Sequence, residues 1–195
     1  MKKAFPILLM IAGVIFAIAG AYTINRGFDA KDKVKGELVA QDIRTTPDAQ
    51  DLAGVKPNLL VNSASRAEAM AKIINAHSLE ASGGLTYSEA GRFLAKSGDP
   101  AGTSDEKLAV TGADGKPVAN PVRNTLFQAS ALRTSLYTSA MAFNVADLVV
   151  GLGLMIVVLG FAIGGVGVAL GGLTIPSLAR KVHVDPVAAD YHAAS

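Results

Sequence analysis

Two pairs of polar residues have types and spacing suited to chemistry. His77 and Glu80 lie three positions apart in a stretch with helical periodicity. An imidazole and a carboxylate so placed share a helix face, as metal ligands or an acid–base pair would. A zinc or iron site needs three or more protein ligands, and this pair supplies two. The other histidines, His183 and His192, stand near the C-terminus, across the membrane on the topology derived below. His77 also falls on the apolar face of its helix, which favours a packed, hydrogen-bonded histidine. Cysteine is absent, so disulfides, Cys-based metal sites and thiol nucleophiles are excluded. The sequence carries no G-x-S-x-G, P-loop, H-E-x-x-H or dinucleotide fingerprint. The glycine-rich stretch 160–172 lies within an apolar run and lacks a Lys-Ser/Thr pair, so it does not read as a phosphate cradle. No catalytic residue, metal site or cofactor is therefore expected.

The second pair is Asn144 and Asp147, at i and i+3 where a long apolar run begins. An ionisable group at a membrane boundary seeks a partner. Asn25 and Arg26 stand just past the first apolar run, and an Asp147–Arg26 contact is the expected pin between the two helices. The alternative is that Asp147 only marks the water boundary.

These residues are positioned by an uneven distribution of hydrophobicity. Half of the 195 residues are hydrophobic and 6% aromatic, with mean hydropathy +0.37. The apolar content gathers near the two ends, which points to a membrane protein. Net charge is +2, so nucleic acid is not an expected partner. Residues 5–24 carry no charge and are long enough to cross a hydrocarbon core of about 30 Å. They follow Lys2 and Lys3, and Ala19-Gly20-Ala21 would pass as a signal-peptide cleavage site. The apolar run continues through that site and exceeds a normal h-region, which favours an uncleaved signal anchor. The second run follows Asp147, reaches Ile175 and meets Pro176. Lys2, Lys3, Arg180 and Lys181 flank the outer ends of the two runs. This places both termini in the cytoplasm and the middle domain outside the cytoplasmic membrane. Arg26, Lys31, Lys33 and Lys35 argue the other way, but acidic residues are mixed among them and long domains translocate largely regardless of charge. Small residues at helical spacing, Gly13, Ala17 and Ala21 on the first span and Gly160 and Gly164 on the second, allow close helix packing in lipid. They suit a helix pair, a membrane-protein partner or a homo-oligomer. They also fit the general abundance of Gly and Ala in membrane helices.

Between the spans the chain reads mostly helical. A short amphipathic stretch at about 31–43 carries Val34, Leu38 and Val39 and ends at Thr45-Thr46-Pro47. Ser65-x-x-Glu68 is a capping box opening a helix whose apolar face is Met70, Ile73, Ile74, His77 and Ala81. Gly83-Gly84 stops it. Thr86-x-x-Glu89 is a second box, expected to open a short helix with Tyr87, Ala90 and Leu94 on one face and its end at Ser97-Gly98. Residues 97–119 read as a loop in which Asp114-Gly115 either makes a small hairpin turn or stays mobile. Asn120-Pro121 looks like an N-cap with Pro at N1. No breaker follows before the glycine-rich segment, and Leu132, Leu136, Ala140 and Phe143 are spaced by four, four and three. One long helix is expected to run from the domain into the second span, coupling the two rigidly.

The expected class is thus mainly α: two transmembrane helices flanking a helical extracytoplasmic domain. Its segments are residues 1–4 in the cytoplasm, 5–24 as the first span, 25–140 as the domain, 141–175 as the second span continuing a helix from about 121, and 176–195 as a cytoplasmic tail.

Three stretches occur together in order: residues 36–43 (Gly-Glu-Leu-Val-Ala-Gln-Asp-Ile), residues 76–89 (Ala-His-Ser-Leu-Glu-Ala-Ser-Gly-Gly-Leu-Thr-Tyr-Ser-Glu), and Arg123-Asn124-Thr125 through Leu132-Arg133-Thr134 to residues 142–149 (Ala-Phe-Asn-Val-Ala-Asp-Leu-Val). With these the chain resembles a family of small actinobacterial two-span membrane proteins, often labelled aromatic ring-opening dioxygenase LigA. The resemblance covers about Lys35 to Gly172 and implies an architecture and an actinobacterial source. It implies no activity. Extradiol ring-cleaving enzymes hold iron with histidines and a carboxylate, a set this chain cannot assemble, and the small subunit bearing the LigA name is soluble and lacks the spans. The expected function is non-enzymatic: a scaffold or accessory subunit of a cell-envelope or respiratory membrane assembly. The alternative class is an extracytoplasmic module that binds or senses a small ligand.

Overall fold

The computed structural model describes residues 4–174. Lys2, Lys3, the tail 176–195 and its Arg180, Lys181, His183 and His192 lie outside the described residues. The chain is mainly helical, and the described residues form four α-helices in the order α1 Ala4–Ala40, α2 Ala49–Ala53, α3 Ala64–Ala81 and α4 Pro121–Thr174, with a 3-10 turn at Glu106–Leu108. Helices α1 and α4 are each long and apolar enough to cross a membrane. Their outward side chains are exposed and apolar, with Leu8 62%, Ile18 66%, Met155 69% and Phe161 71% exposed. Water would make such a surface costly, so a lipid environment is the one these helices suit.

Helix α1 does not end where its charges begin. The 37-residue helix passes through Arg26, Asp29 and Lys31 to Ala40, so the span and the amphipathic stretch are one element rather than two. Between Ile24 and Ala40 the sequence holds no proline, and Gly27 and Gly36 alone do not break a helix. Pro6 sits in the first turn, where its missing N–H has no intrahelical acceptor to lose.

The described chain forms two compact units. In the first, α1 up to Ala21 packs against α4 from Leu154 onward. The contact is backbone to backbone. A Cβ at Gly13 would lie 2.6 Å from Gly164 N and 2.7 Å from Gly160 O, and one at Gly160 would lie 2.7 Å from Ala17 N. Gly167 approaches Met10 N and Pro6 O as closely, with 2.9 Å to each from its absent Cβ. Ala21 is exposed and does not continue the stripe, whereas Gly20 is buried. The interface of α1 therefore follows Gly13 and Gly20, seven apart, rather than a four-residue step.

The second unit is Tyr22–Gly153. Its core joins Leu38 of α1, Val61, Ala67 and Ala71 around α3, and Leu136, Ala140 and Phe143 of α4. Val34, Ile43, Met70 and Ile74 pack against it, half buried. Helix α3 starts earlier than its sequence suggested. Ser63, extended at φ −150 and ψ 163, accepts from Arg66 N at 3.4 Å. Ser65 is already inside the first turn, so the Ser65–Glu68 box does not form the cap. The buried side chains of α3 are Ala67, Ala69, Ala71, Ile73 and Ser78. Ala81 is exposed, so the buried face is rotated towards small residues that permit close approach. Ahead of α3, the segment around Thr45 pairs with that around Leu59: Thr45 N donates to Leu59 O at 2.9 Å and Val61 N to Ile43 O at 2.8 Å.

Residues 86–119 differ most from expectation. Only half of the Thr86–Glu89 box is made: Thr86 N donates to Glu89 Oε2 at 2.8 Å, but Thr86 Oγ1 donates to the same oxygen at 2.7 Å instead of accepting from Glu89 N, which bonds Thr86 O, and the segment closes a turn rather than opening a helix. The following backbone is paired across the chain. Gly91 N donates to Ala101 O at 2.7 Å, and Phe93 exchanges both bonds with Thr103 at 2.9 and 2.8 Å. Isolated bridges Ala95–Ala109, Phe93–Ala119 and Thr111–Pro117 complete a small knot. The last closes the Asp114-Gly115 hairpin, with Gly115 at φ +76. Asn120 then caps α4 as expected, its Oδ1 accepting from Val122 N at 3.0 Å. Helix α4 runs unbroken for 54 residues.

Candidate binding sites of the helical domain

Asp147 pairs with Lys31, not with Arg26. The Lys31 Nζ to Asp147 Oδ1 distance is 2.6 Å, while Arg26 turns to Asp29 on its own helix at 3.7 Å. Because α1 continues past its apolar run, a lysine five residues beyond Arg26 faces α4 at the level of Asp147. Gly27 lies close to α4 too, its absent Cβ 2.6 Å from Val150 Cγ2 and 3.1 Å from Ala146 O. Asn144 is exposed. The Lys31–Asp147 pair borders a cavity of about 490 Å³ whose lining also includes Phe28, Asp32, Lys35 and Ser65. Two lysines and two aspartates balance there.

His77 sits on α3 and bonds away from Glu80. Its Nε2 lies 2.6 Å from Asp48 Oδ2, and Thr46 Oγ1 donates to Asp48 Oδ1. The Thr46 hydroxyl first, and the His77 ring second, hold the Asp48 carboxyl below its ordinary value. This Thr46–Asp48–His77 chain ties the segment leading into α2 to α3. Both His77 and Asp48 side chains are about two-fifths exposed, at 41% and 44%, so His77 is hydrogen-bonded but not packed away on an apolar face. Among the described residues there is no group of three or more His, Asp and Glu placed to hold a metal.

A wider concave surface of the domain left only a partial trace in the sequence. It is an open groove of about 810 Å³ between the C-terminal part of α1, α3 and α4. Its floor is Val34, Leu38, Ile43, Met70, Ile74 and Leu136. Lys33 and Glu37 of α1 and Gln41 just past its end rim it on one side, and Ser135, Thr138 and Ser139 of α4 on the other. The three serine and threonine hydroxyls donate to carbonyls four residues back, at 3.0, 2.8 and 3.0 Å. That satisfies their own polarity and leaves the groove wall less polar than its composition implies. Leu132 stands at the end of the groove, 54% exposed. The sequence signal existed: Leu132, Leu136, Ala140 and Phe143 form one stripe, and only the last three are covered. No family model, curated protein or solved structure matches the chain.

Proposed function

We propose that this is a non-enzymatic integral membrane protein of the cytoplasmic membrane, with both termini cytoplasmic, whose domain serves as a docking platform within a cell-envelope or respiratory assembly. The carrying observation is the open apolar groove between α1, α3 and α4. An apolar floor with a polar rim is the anatomy of a helix-binding groove. The wall on α4 spans residues 132–142, about 15 Å of helix at 1.5 Å per residue, and faces residues 33–38 of α1 with Gln41 and Ile43 just past its end. That length takes about ten residues of an amphipathic helix presented by a membrane-protein partner. The exposed Leu132 is the anchor such a helix would cover. The resemblance to small actinobacterial two-span proteins agrees with the architecture and names no chemistry.

Purification of the intact protein from its native membrane in a mild detergent tests the reading. A stoichiometric partner is expected with the natural sequence and is expected to be lost in Leu132→Glu, which alters an exposed side chain and leaves the core intact. A partner retained by Leu132→Glu, or none with the natural sequence, overturns it. A second reading, a module that binds a small ligand, is favoured by a separate cavity around Arg133.

A further inference from the structure

A smaller cavity of about 340 Å³ lies between α3, the turn at Thr86–Ser88 and α4. Its lining includes Asn75, Ser78, Ser88, Ser130 and Arg133, and no carboxylate. Arg133 Nε is buried and has no hydrogen-bond partner among the described residues. A buried donor left unmet is costly, and in native proteins it marks a partner supplied from outside the chain. The neighbouring side chains are also free to serve. Thr125, Ser135, Thr138 and Ser139 of α4 return their hydroxyls to carbonyls four residues back, whereas Ser130, on the cavity, makes no such bond among the described residues. Ser78 Oγ donates to Asn75 O at 2.9 Å, which leaves the Asn75 side-chain amide uncommitted. Glu89 is near in sequence but outside the lining, and its carboxylate is held by the two Thr86 donors. One guanidinium therefore sets the charge of a concave site whose remaining lining is Leu79, Tyr87 and Leu126 beside the hydroxyls and amide.

We propose that this cavity binds a small solute through a carboxylate or phosphate group, with Arg133 supplying charge-assisted hydrogen bonds and Asn75 and Ser130 completing the contact. A lipid headgroup presents the same oxyanion chemistry but is poorly placed. Arg133 precedes Asp147 on α4 by about 21 Å of helix at 1.5 Å per residue, and Asp147 is where the apolar run begins. The source is therefore a dissolved solute. The inference is independent of the groove and of its partner.

The test uses the intact protein in an uncharged detergent at constant ionic strength, with sodium phosphate and sodium acetate as probes against chloride. The unfolding temperature is expected to rise saturably with at least one probe. Arg133→Gln is expected to raise the half-saturating concentration about tenfold or more, the loss that follows removal of one charge-assisted pair. Asn75→Asp places a carboxylate beside Arg133 and is expected to abolish the response while the protein still folds, which keeps the test decisive if Arg133→Gln does not fold. Equal responses in all three proteins, or no saturable response to either probe, overturn the proposal. So does stabilisation that appears only in bilayers containing anionic lipid and that free phosphate does not reduce.

Discussion

Replacing Asn120 by alanine should loosen two structures at once, because this side chain, 2% exposed, serves both. Its Oδ1 caps α4 through Val122 N, and its Nδ2 donates to Gly91 O at 3.1 Å and Ala101 O at 3.2 Å. Loss of the cap costs about 1 kcal/mol. Ala101 O keeps a second donor, Gly91 N, so that bond is worth about 0.5–1 kcal/mol. Gly91 O loses the donor that Asn120 provides and is left short in a tight crossing, at about 1–2 kcal/mol. The total is about 3 kcal/mol, or roughly a hundredfold in a local opening equilibrium. Native-state hydrogen exchange of the intact protein in detergent reads it directly, as faster exchange in peptides covering 91–103 and the first turn of α4. Asn120→Asp separates the two roles. A carboxylate still accepts from Val122 N and suits a helix N-terminus, but it opposes two carbonyl oxygens. Protection of the first turn should persist while that of 91–103 falls. Less than about a threefold change in both segments of Asn120→Ala would refute the reasoning, since even a single lost cap exceeds that. Identical behaviour of the Asp and Ala variants at Val122 would refute the division of roles.

Gly13→Val should destabilise the detergent-solubilised protein by the ~1–3 kcal/mol typical of overpacking, read as a lower unfolding temperature, because its Cβ meets the backbone of Gly160 and Gly164. Gly165→Val, where nothing lies within 4 Å, should not, and equal effects of the two would show that helix packing is not what Gly13 serves. The Asp48 carboxyl lies below its ordinary value in the folded protein, so its contribution is present in full above the usual carboxylate range and is lost as pH falls through the depressed value. Exchange of the α2–α3 region should accordingly rise in acid, and Asp48→Asn should flatten that dependence; an unchanged acid profile in the variant would dismiss the tie. Lys31 and Asp147 are 35% and 58% exposed, so a double-mutant cycle with Lys31→Met and Asp147→Asn should give a coupling under about 1 kcal/mol, screened by salt. A coupling of several kcal/mol would mean that the pair is shielded from water.

Sequence periodicity was enough where a local rule decides. Asn120-Pro121 reads as a helix start because cap and N1 chemistry involve neighbours only, and of the two readings open for Asp114-Gly115 the hairpin forms, its turn set by one left-handed glycine. Leu132, Leu136, Ala140 and Phe143 read as one helix running into the span from their spacing, and α4 is unbroken. Reading fails where a distant partner outbids a local one. Thr86–Glu89 has the signature of a helix start but makes only the Thr86 N to Glu89 half of the box, and Gly91 and Phe93 give their amides to Ala101 and Thr103, so the helix has no backbone left to propagate. Ser65 loses the cap to Ser63 because the backbone is still extended at Ser63, a conformation no pattern specified. Asp147 finds Lys31 rather than Arg26 because α1 continues as a helix past its apolar run and brings Lys31 level with Asp147. His77 finds Asp48, 29 positions upstream, because the segment leading into α2 packs on α3. The groove and the Arg133 cavity are products of packing and leave no motif.

The glycines themselves carry a signal with a different period from the one first read. Gly13, Gly20 and Gly27 are seven apart on α1, and Gly153, Gly160 and Gly167 are seven apart on α4; all six are buried. A strict seven-residue repeat keeps one face of a helix turned to its neighbour in a left-handed crossing, whereas a four-residue step, such as Gly160 to Gly164, favours the opposite hand. In the second unit α4 buries Ala146, Phe143, Ala140 and Leu136. There the residues alternate large with small, as they must where a third helix, α3, shares the contact. Glycine marks the stretches where two backbones meet alone, and leucine and phenylalanine mark those where three helices leave space to fill. The groove lies beside the filled stretch, where Leu132 extends the apolar stripe beyond the last residue that α3 covers.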